Sequence, residues 1–397
     1  MRNRLILRLF AVLFAMTLAV AGTEAAQKKI KEIDIDVDLE DLMMNGFIPV
    51  SLTGFTGETK SVLTFDLEIA GFNIVSENRA AFVIKGKNGD TLEGRVVNSS
   101  DKTVLAKLYR GGSARVQAHT FADDIVEELT GVKGVARTKI VFKVDVGGAK
   151  ELYISDYDGH NPVKVTSDKA IVAAPTWVPG KFALYYTSYM RQNPDIYYHD
   201  LSSGKRQTIA RHSGLNTSPA VSPDGSRISM ILSKGGSPDV YVADKNGKDL
   251  RRLTKTRADE SSPCWSPDGQ QICFVSRDSG SARLYTIPAY GGKMAQLPTR
   301  GVNTVTEPDW SPDGKTIVFT SQYRGGFNIC TVPPRGGLAK VIAGGEDPSW
   351  APNSRTVVIT RRVRGKRVLS LLDVETKRVK DIRQAFAGSC SQASWAK

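Results

Sequence analysis

Pro308-Asp309-Trp310-Ser311-Pro312-Asp313-Gly314, followed by the alternating run Lys315-Thr316-Ile317-Val318-Phe319-Thr320, decides the fold of this chain. Ser-Pro-Asp-Gly specifies a tight turn. Proline presets the first central backbone angle, aspartate bonds back to the main chain, and glycine accepts the left-handed geometry. The period-two run after it reads as a strand returning beside the one that ends at Trp310. The same turn recurs as Ser222-Pro223-Asp224-Gly225 and Ser266-Pro267-Asp268-Gly269, with weaker copies at Val178-Pro179-Gly180 and Ala351-Pro352-Asn353-Ser354. The residues before the copies are Trp177, Val221, Trp265, Trp310 and Trp350, and a last one, Trp395, stands near the chain end. Their successive separations are 44, 44, 45, 40 and 45 residues.

Each unit continues with a third strand, such as Asp195-Ile196-Tyr197-Tyr198 or Asp239-Val240-Tyr241-Val242, and a short fourth, such as Arg251-Arg252-Leu253-Thr254. Four strands in about 40–45 residues is the period of a β-propeller blade, whereas solenoids of similar period are helical. Lys139 to Val144 and Glu151 to Ser155 match the second and third strands of a blade that lacks its own first strand. Ala393-Ser394-Trp395 supplies a strand of the missing kind, so the two ends of residues 136–397 complete one blade together and remove the open edge. The expectation is a six-bladed propeller.

Residues 27–135 do not repeat. Strands are expected at Ile33 to Val37, Phe47 to Val50, Ala81 to Lys85, Thr91 to Val97 and Thr103 to Leu108, and a helix over Lys60 to Ala70. A second helix starts at the cap Ser113, places Ala118, Phe121, Ala122, Ile125, Val126 and Leu129 on one face, and stops at Gly131. The whole is therefore a small α/β domain followed by an all-β propeller. Residues 1–26 have the make-up of a signal peptide: Arg2, Arg4 and Arg8, an apolar run from Leu9 to Ala21, and small residues for cleavage after Ala25 or Ala26. An exported, soluble mature protein is expected.

The formal net charge of +13 would fall to about +11 on loss of that peptide, and the basic residues are scattered. Export argues against nucleic acid and leaves anionic lipid heads, glycans or an acidic partner as targets. The four cysteines, Cys264, Cys273, Cys330 and Cys390, are too few for a disulfide scaffold, though Cys264 and Cys273 flank one hairpin. No zinc-binding spacing, Gly-x-Ser-x-Gly elbow or phosphate loop appears, and His119, His160, His199 and His212 are dispersed, so neither metal, cofactor nor catalytic group is expected. Each repeated Asp of Pro-Asp-Gly is a turn residue.

Function in a propeller concentrates where loops enter the innermost strands around the channel mouth. Here those loops read Ala173-Ala174, Asn216-Thr217-Ser218, Glu260-Ser261-Ser262, Thr306-Glu307 and Glu346-Asp347, which suggests an acidic mouth suited to a basic or hydrogen-bonding peptide.

The order of signal peptide, α/β domain and Pro-x-Trp-Ser-Pro-Asp-Gly propeller resembles the TolB family. The junction string is similar to that family's: Ala118-His119-x-x-Ala122-Asp123-x-Ile125, Leu129-Thr130-Gly131-x-x-Gly134, then Thr138-Lys139-Ile140. The chain departs from it in a shortened stretch between Phe72 and Val83 and at Ala136-Arg137, where an aromatic is usual. The resemblance implies a periplasmic, monomeric, non-enzymatic component of the Tol-Pal system that supports outer-membrane integrity and constriction at division. It implies that a Pal-like peptidoglycan-associated lipoprotein binds the mouth at Asn216, Thr217, Glu260, Ser261, Thr306 and Glu307. It also implies that a TolA-like protein engages Lys28, Lys29, Ile30, Lys31, Glu32, Ile33 and Asp34. The competing readings are a propeller that binds glycan or peptidoglycan and a metal-dependent polysaccharide lyase, which needs clustered histidines in the channel.

Overall fold

The computed structural model describes residues 46–323, 325–383 and 388–397. The expected signal peptide, the strand at Ile33 to Val37 and the segment Lys28 to Asp34 lie outside the described residues.

The first sheet contains β1 (Ile48–Thr53), β2 (Phe72–Ile74), β3 (Phe82–Asn88), β4 (Leu92–Asn98) and β5 (Thr103–Tyr109), in the order β2-β1-β3-β4-β5. β1 runs parallel to β2 and β3, while β3, β4 and β5 form an antiparallel meander. Helices α1 (Gly57–Ile69) and α2 (Ala114–Thr130) supply Val62, Leu63, Leu67, Phe121 and Ile125 to the core shared with this sheet. Ser113 Oγ accepts the Val116 N–H at 3.3 Å and Gly131 closes α2 at φ 72°, the cap and stop read from the sequence. α1 starts at Gly57, three residues before the expected Lys60. β2 was not expected: three residues are too few to show a period, and only pairing with β1 makes them a strand.

Among the described residues the propeller comprises six four-stranded sheets. The inner strands are Val172–Trp177 in blade 1, Asn216–Val221 in blade 2, Glu260–Trp265 in blade 3, Thr304–Trp310 in blade 4 and Glu346–Trp350 in blade 5. In blade 6 the C-terminal strand Cys390–Trp395 pairs antiparallel with Lys139–Val146. The repeated turn behaves as its chemistry dictates. Gly225, Gly269 and Gly314 hold φ of 68°, 66° and 75°. Asp224 accepts bonds from the hydroxyls of Ser222 and Ser226 and from the Ser226 N–H, which hold its carboxyl down at about 2.

Three tryptophans tie blade to blade. The Trp177 indole donates to Ser394 O (3.0 Å), Trp265 to Ala220 O (3.0 Å) and Trp350 to Asp309 O (3.2 Å), whereas Trp395 donates to Thr138 Oγ1 (2.7 Å) at the entry to its own blade. Trp310 instead donates to Gly314 O of its own turn. Cys264 and Cys273 are cross-strand partners, and all four cysteines are buried free thiols.

A buried polar knot joins the two parts. Asp66 on α1 accepts from His119 Nδ1 on α2 at 2.7 Å and from the Tyr157 hydroxyl of blade 6. Arg115 on α2 pairs with Asp158 of blade 6 and reaches Glu58 at 3.2 Å. On the other side, blade 5 docks by Arg378, which donates to Phe72 O at 2.6 Å and lies 4.2 Å from the Phe47 ring centroid, and by the Lys380–Glu68 ion pair.

Candidate binding face of the propeller

Each inner strand bears one irregular residue at the same place. Ala174, Ser218, Ser262, Glu307, Asp347 and Gln392 all take left-handed backbone angles, with φ of 49°, 52°, 50°, 53°, 54° and 50°. The ladder register slips at every one of these places, the signature of a β-bulge. Proline follows in five of the six strands, and alanine at Ala393 in the last. A bulge suits proline because the residue there need not donate to the ladder. The six bulges ring the mouth of the channel, and the hairpins joining the second and third strands of each blade open on the same end.

The sequence-predicted mouth residues separate into two groups. Asn216 is 0% exposed and Glu260 1% exposed. Asn216 Oδ1 accepts the His212 N–H at 2.8 Å, and its amide donates to His212 O at 2.8 Å and Pro194 O at 3.0 Å, so it pins the incoming loop. Glu260 accepts from Thr256 Oγ1 and Ser276 Oγ, both at 2.8 Å, and from Thr254 Oγ1 at 3.2 Å, binding blade 2 to blade 3. Burial raises its carboxyl. Thr217, Ser261, Thr306 and Glu307 are half-buried at the channel. A signal for the split was present: Asn216 and Glu260 align with Val172, Val305 and Cys390 of other blades, which marks a core-facing position.

The expectation of an acidic mouth is corrected on the same grounds. Glu260 is sealed in, Glu346 pairs with Arg367 at 2.7 Å, and Asp309 is held by Lys397 Nζ at 2.8 Å and the Trp350 N–H at 2.7 Å. Glu307 accepts from Thr320 Oγ1 at 2.8 Å and the Asp347 N–H at 2.9 Å, and burial together with the Asp347 carboxylate pushes it up to about 8. Loops and hairpins of blades 1 to 3 put Arg191, Arg211, Lys234, Lys255, Arg257 and Arg277 on the exposed rim, against Asp259 and Asp278. The rim is basic, while of the inner acids Glu260 is sealed in, Glu346 and Asp309 are ion-paired, and Asp347 accepts the Gln392 N–H at 3.1 Å. Gln392 completes the ring and was not expected, because no proline follows it to mark the bulge.

Glu307 gives the face a pH signature. Between the ordinary 4.5 and about 8 the folded chain holds a proton that the unfolded chain has lost. Its contribution to stability is thus full below 4.5 and disappears as pH rises through about 8. Glu307→Gln is expected to lose less thermal stability than the wild type between pH 5 and pH 9. Equal losses in melts of the two proteins would place the titration elsewhere.

Among the described residues no three His, Cys, Asp or Glu side chains converge to hold a metal ion, and no helix is long and apolar enough to cross a membrane.

The family model described as "TolB beta propeller domain" matches residues 126–397. "Tol-Pal system protein TolB" of Dechloromonas aromatica is 32% identical over 240 residues, covering 52% of this chain and 54% of that protein. "Protein TolB homolog" of Chlorobaculum tepidum is 29% identical over 225 residues, or 56% of this chain and 51% of that protein. The chain thus spans about half the length of the curated relatives it matches. The crystal structure of TolB from Acinetobacter baumannii has the same fold, with a TM-score of 0.80 over 88% of this chain and 96% of that one at 23% identity. With its blades, its closing strand and two-thirds of its length matched, this chain belongs to the TolB β-propeller family.

Proposed function

We propose that this protein is a periplasmic, non-catalytic binding scaffold of the Tol-Pal system, exported by residues 1–26, with an α/β domain over 27–135 and a propeller over 136–397. In this reading the propeller mouth binds a Pal-like peptidoglycan-associated lipoprotein. The segment Lys28 to Asp34, outside the described residues, engages a TolA-like protein, and the two contacts support outer-membrane integrity and constriction at division. Membership of the TolB family carries the reading, and the relatives' name places them in the Tol-Pal system. The geometry supports it as well: a rigid closed ring presents a polar mouth on which Thr217, Ser261, Thr306 and Glu307 are reachable. Loops fixed by a stiff scaffold recognise partners with little ordering cost.

Titration calorimetry of the mature chain against the folded periplasmic domain of the Pal-like lipoprotein from the same organism tests this. Saturable one-to-one binding is expected. No heat with a folded domain would reject the proposed partner.

A further inference from the structure

Three consecutive bulges around the mouth are capped from the blade before them. The Asp347 N–H donates to Glu307 Oε2 at 2.9 Å, the Gln392 N–H to Asp347 Oδ2 at 3.1 Å, and the Ala174 N–H to Gln392 Oε1 at 3.3 Å. The N–H groups of Ser218, Ser262 and Glu307 share the same backbone conformation, so each is aimed at the preceding blade. What stands there is Ala174, Ser218 and Ser262, whose side chains end one atom or less beyond Cβ, and among the described residues no side chain caps these donors. All three residues are half-buried at the channel. One half of the mouth is therefore capped by Glu307, Asp347 and Gln392, and on the other only short side chains stand beside the backbone donors.

We propose that this arc of N–H groups on blades 2 to 4 receives a carboxylate carried on an acidic loop of the partner protein. Successive backbone N–H groups turned into one concavity form an anion-binding site, and charge-assisted bonds to them are the stronger kind. The basic rim overlaps the arc at blades 2 and 3 and favours an acidic approach. A proton held on Glu307 removes the nearest repulsion. The inference rests on the mouth being the lipoprotein-binding face.

The test gives the open blades the cap their neighbours already have. Ser218→Glu and Ser262→Glu place at these bulges the residue type that blade 4 carries at Glu307 with φ 53°. Each new carboxylate caps the next N–H. Gln270→Glu, exposed beside the Ser-Pro-Asp-Gly turn at the opposite end of blade 3, adds the same charge away from both arc and rim. Calorimetry of the full mature chain with the lipoprotein domain is expected to show a loss of at least about tenfold for the two Glu variants at the arc. Gln270→Glu is expected to stay within about twofold. Equal losses in all three Glu variants, or none, would overturn the arc. If the wild type fails to bind the lipoprotein domain, the proposed function falls. The arc is then decided by the same variants titrated with a fluorescent hexa-aspartate peptide, where a loss confined to Ser218→Glu and Ser262→Glu upholds it and a uniform response rejects it.

Discussion

Deletion of residues 390–397 is expected to abolish cooperative folding of the propeller, and Trp395→Ala to lower stability by about 3–5 kcal/mol. The strand Cys390–Trp395 is the inner strand of blade 6, and its loss leaves the Lys139–Val146 edge unpaired and two blades without a shared seam. Trp395 is 1% exposed. Its ring lies 6.1 Å from that of Tyr157, its indole donates to Thr138 Oγ1, and it packs with Ile140, Tyr157 and Ala351. Truncation removes a large apolar surface and leaves a cavity at the point where the ring closes. The effect should exceed that of Trp310→Ala, whose indole bonds only within its own turn. Thermal melts followed by circular dichroism test this. A sharp, unshifted transition in the truncated chain would show that five blades and a fragment stand alone.

Asp66→Ala is expected to be nearly as costly, about 3–5 kcal/mol, and to change the shape of unfolding as well as its midpoint. Asp66 is buried and serves both sides of the joint: His119 from α2 and Tyr157 from the propeller. Burial, and after it the Asp66 carboxylate, hold the Tyr157 hydroxyl protonated far above its ordinary range, so it remains a donor at all working pH. Removing the carboxylate strands both donors in a water-poor site beside the Arg115–Asp158 pair. Calorimetry should resolve two transitions in the variant, with the α/β domain melting first, where the wild type shows one. A single transition at the wild-type midpoint would mean that the Arg378 and Lys380 contacts hold the parts together without the knot.

The ring was legible because its signal is local. Ser-Pro-Asp-Gly fixes a turn by the chemistry of four adjacent residues, and Trp at a steady spacing repeats it often enough to count blades. Closure was legible for the same reason, since Trp395 falls one period after Trp350. The side a residue faces was less so. Glu260 and Thr306 both sit in polar loops before a proline, yet one is sealed between blades and the other borders the channel. The difference is one place relative to the bulge, and a one-residue shift reverses facing in a strand. The knot at the joint was invisible, because Asp66, His119 and Tyr157 meet across 53 and 91 residues of chain with no period to announce them.

The closing strand also sets an order of events. Val144 is paired with Cys390, a partner about 250 residues further along. A chain delivered from its N-terminus first presents Lys139–Val146 long before its neighbour arrives, and through that interval the strand is a bare template for any extended segment nearby. Productive folding of the ring must therefore wait for the last strand to emerge, with a slow, entropy-limited search as its final step. The seam that makes the finished protein rigid is thus also the point at which its assembly is most open to miscarriage, and a chaperone that shields this one edge would raise the yield of folded protein.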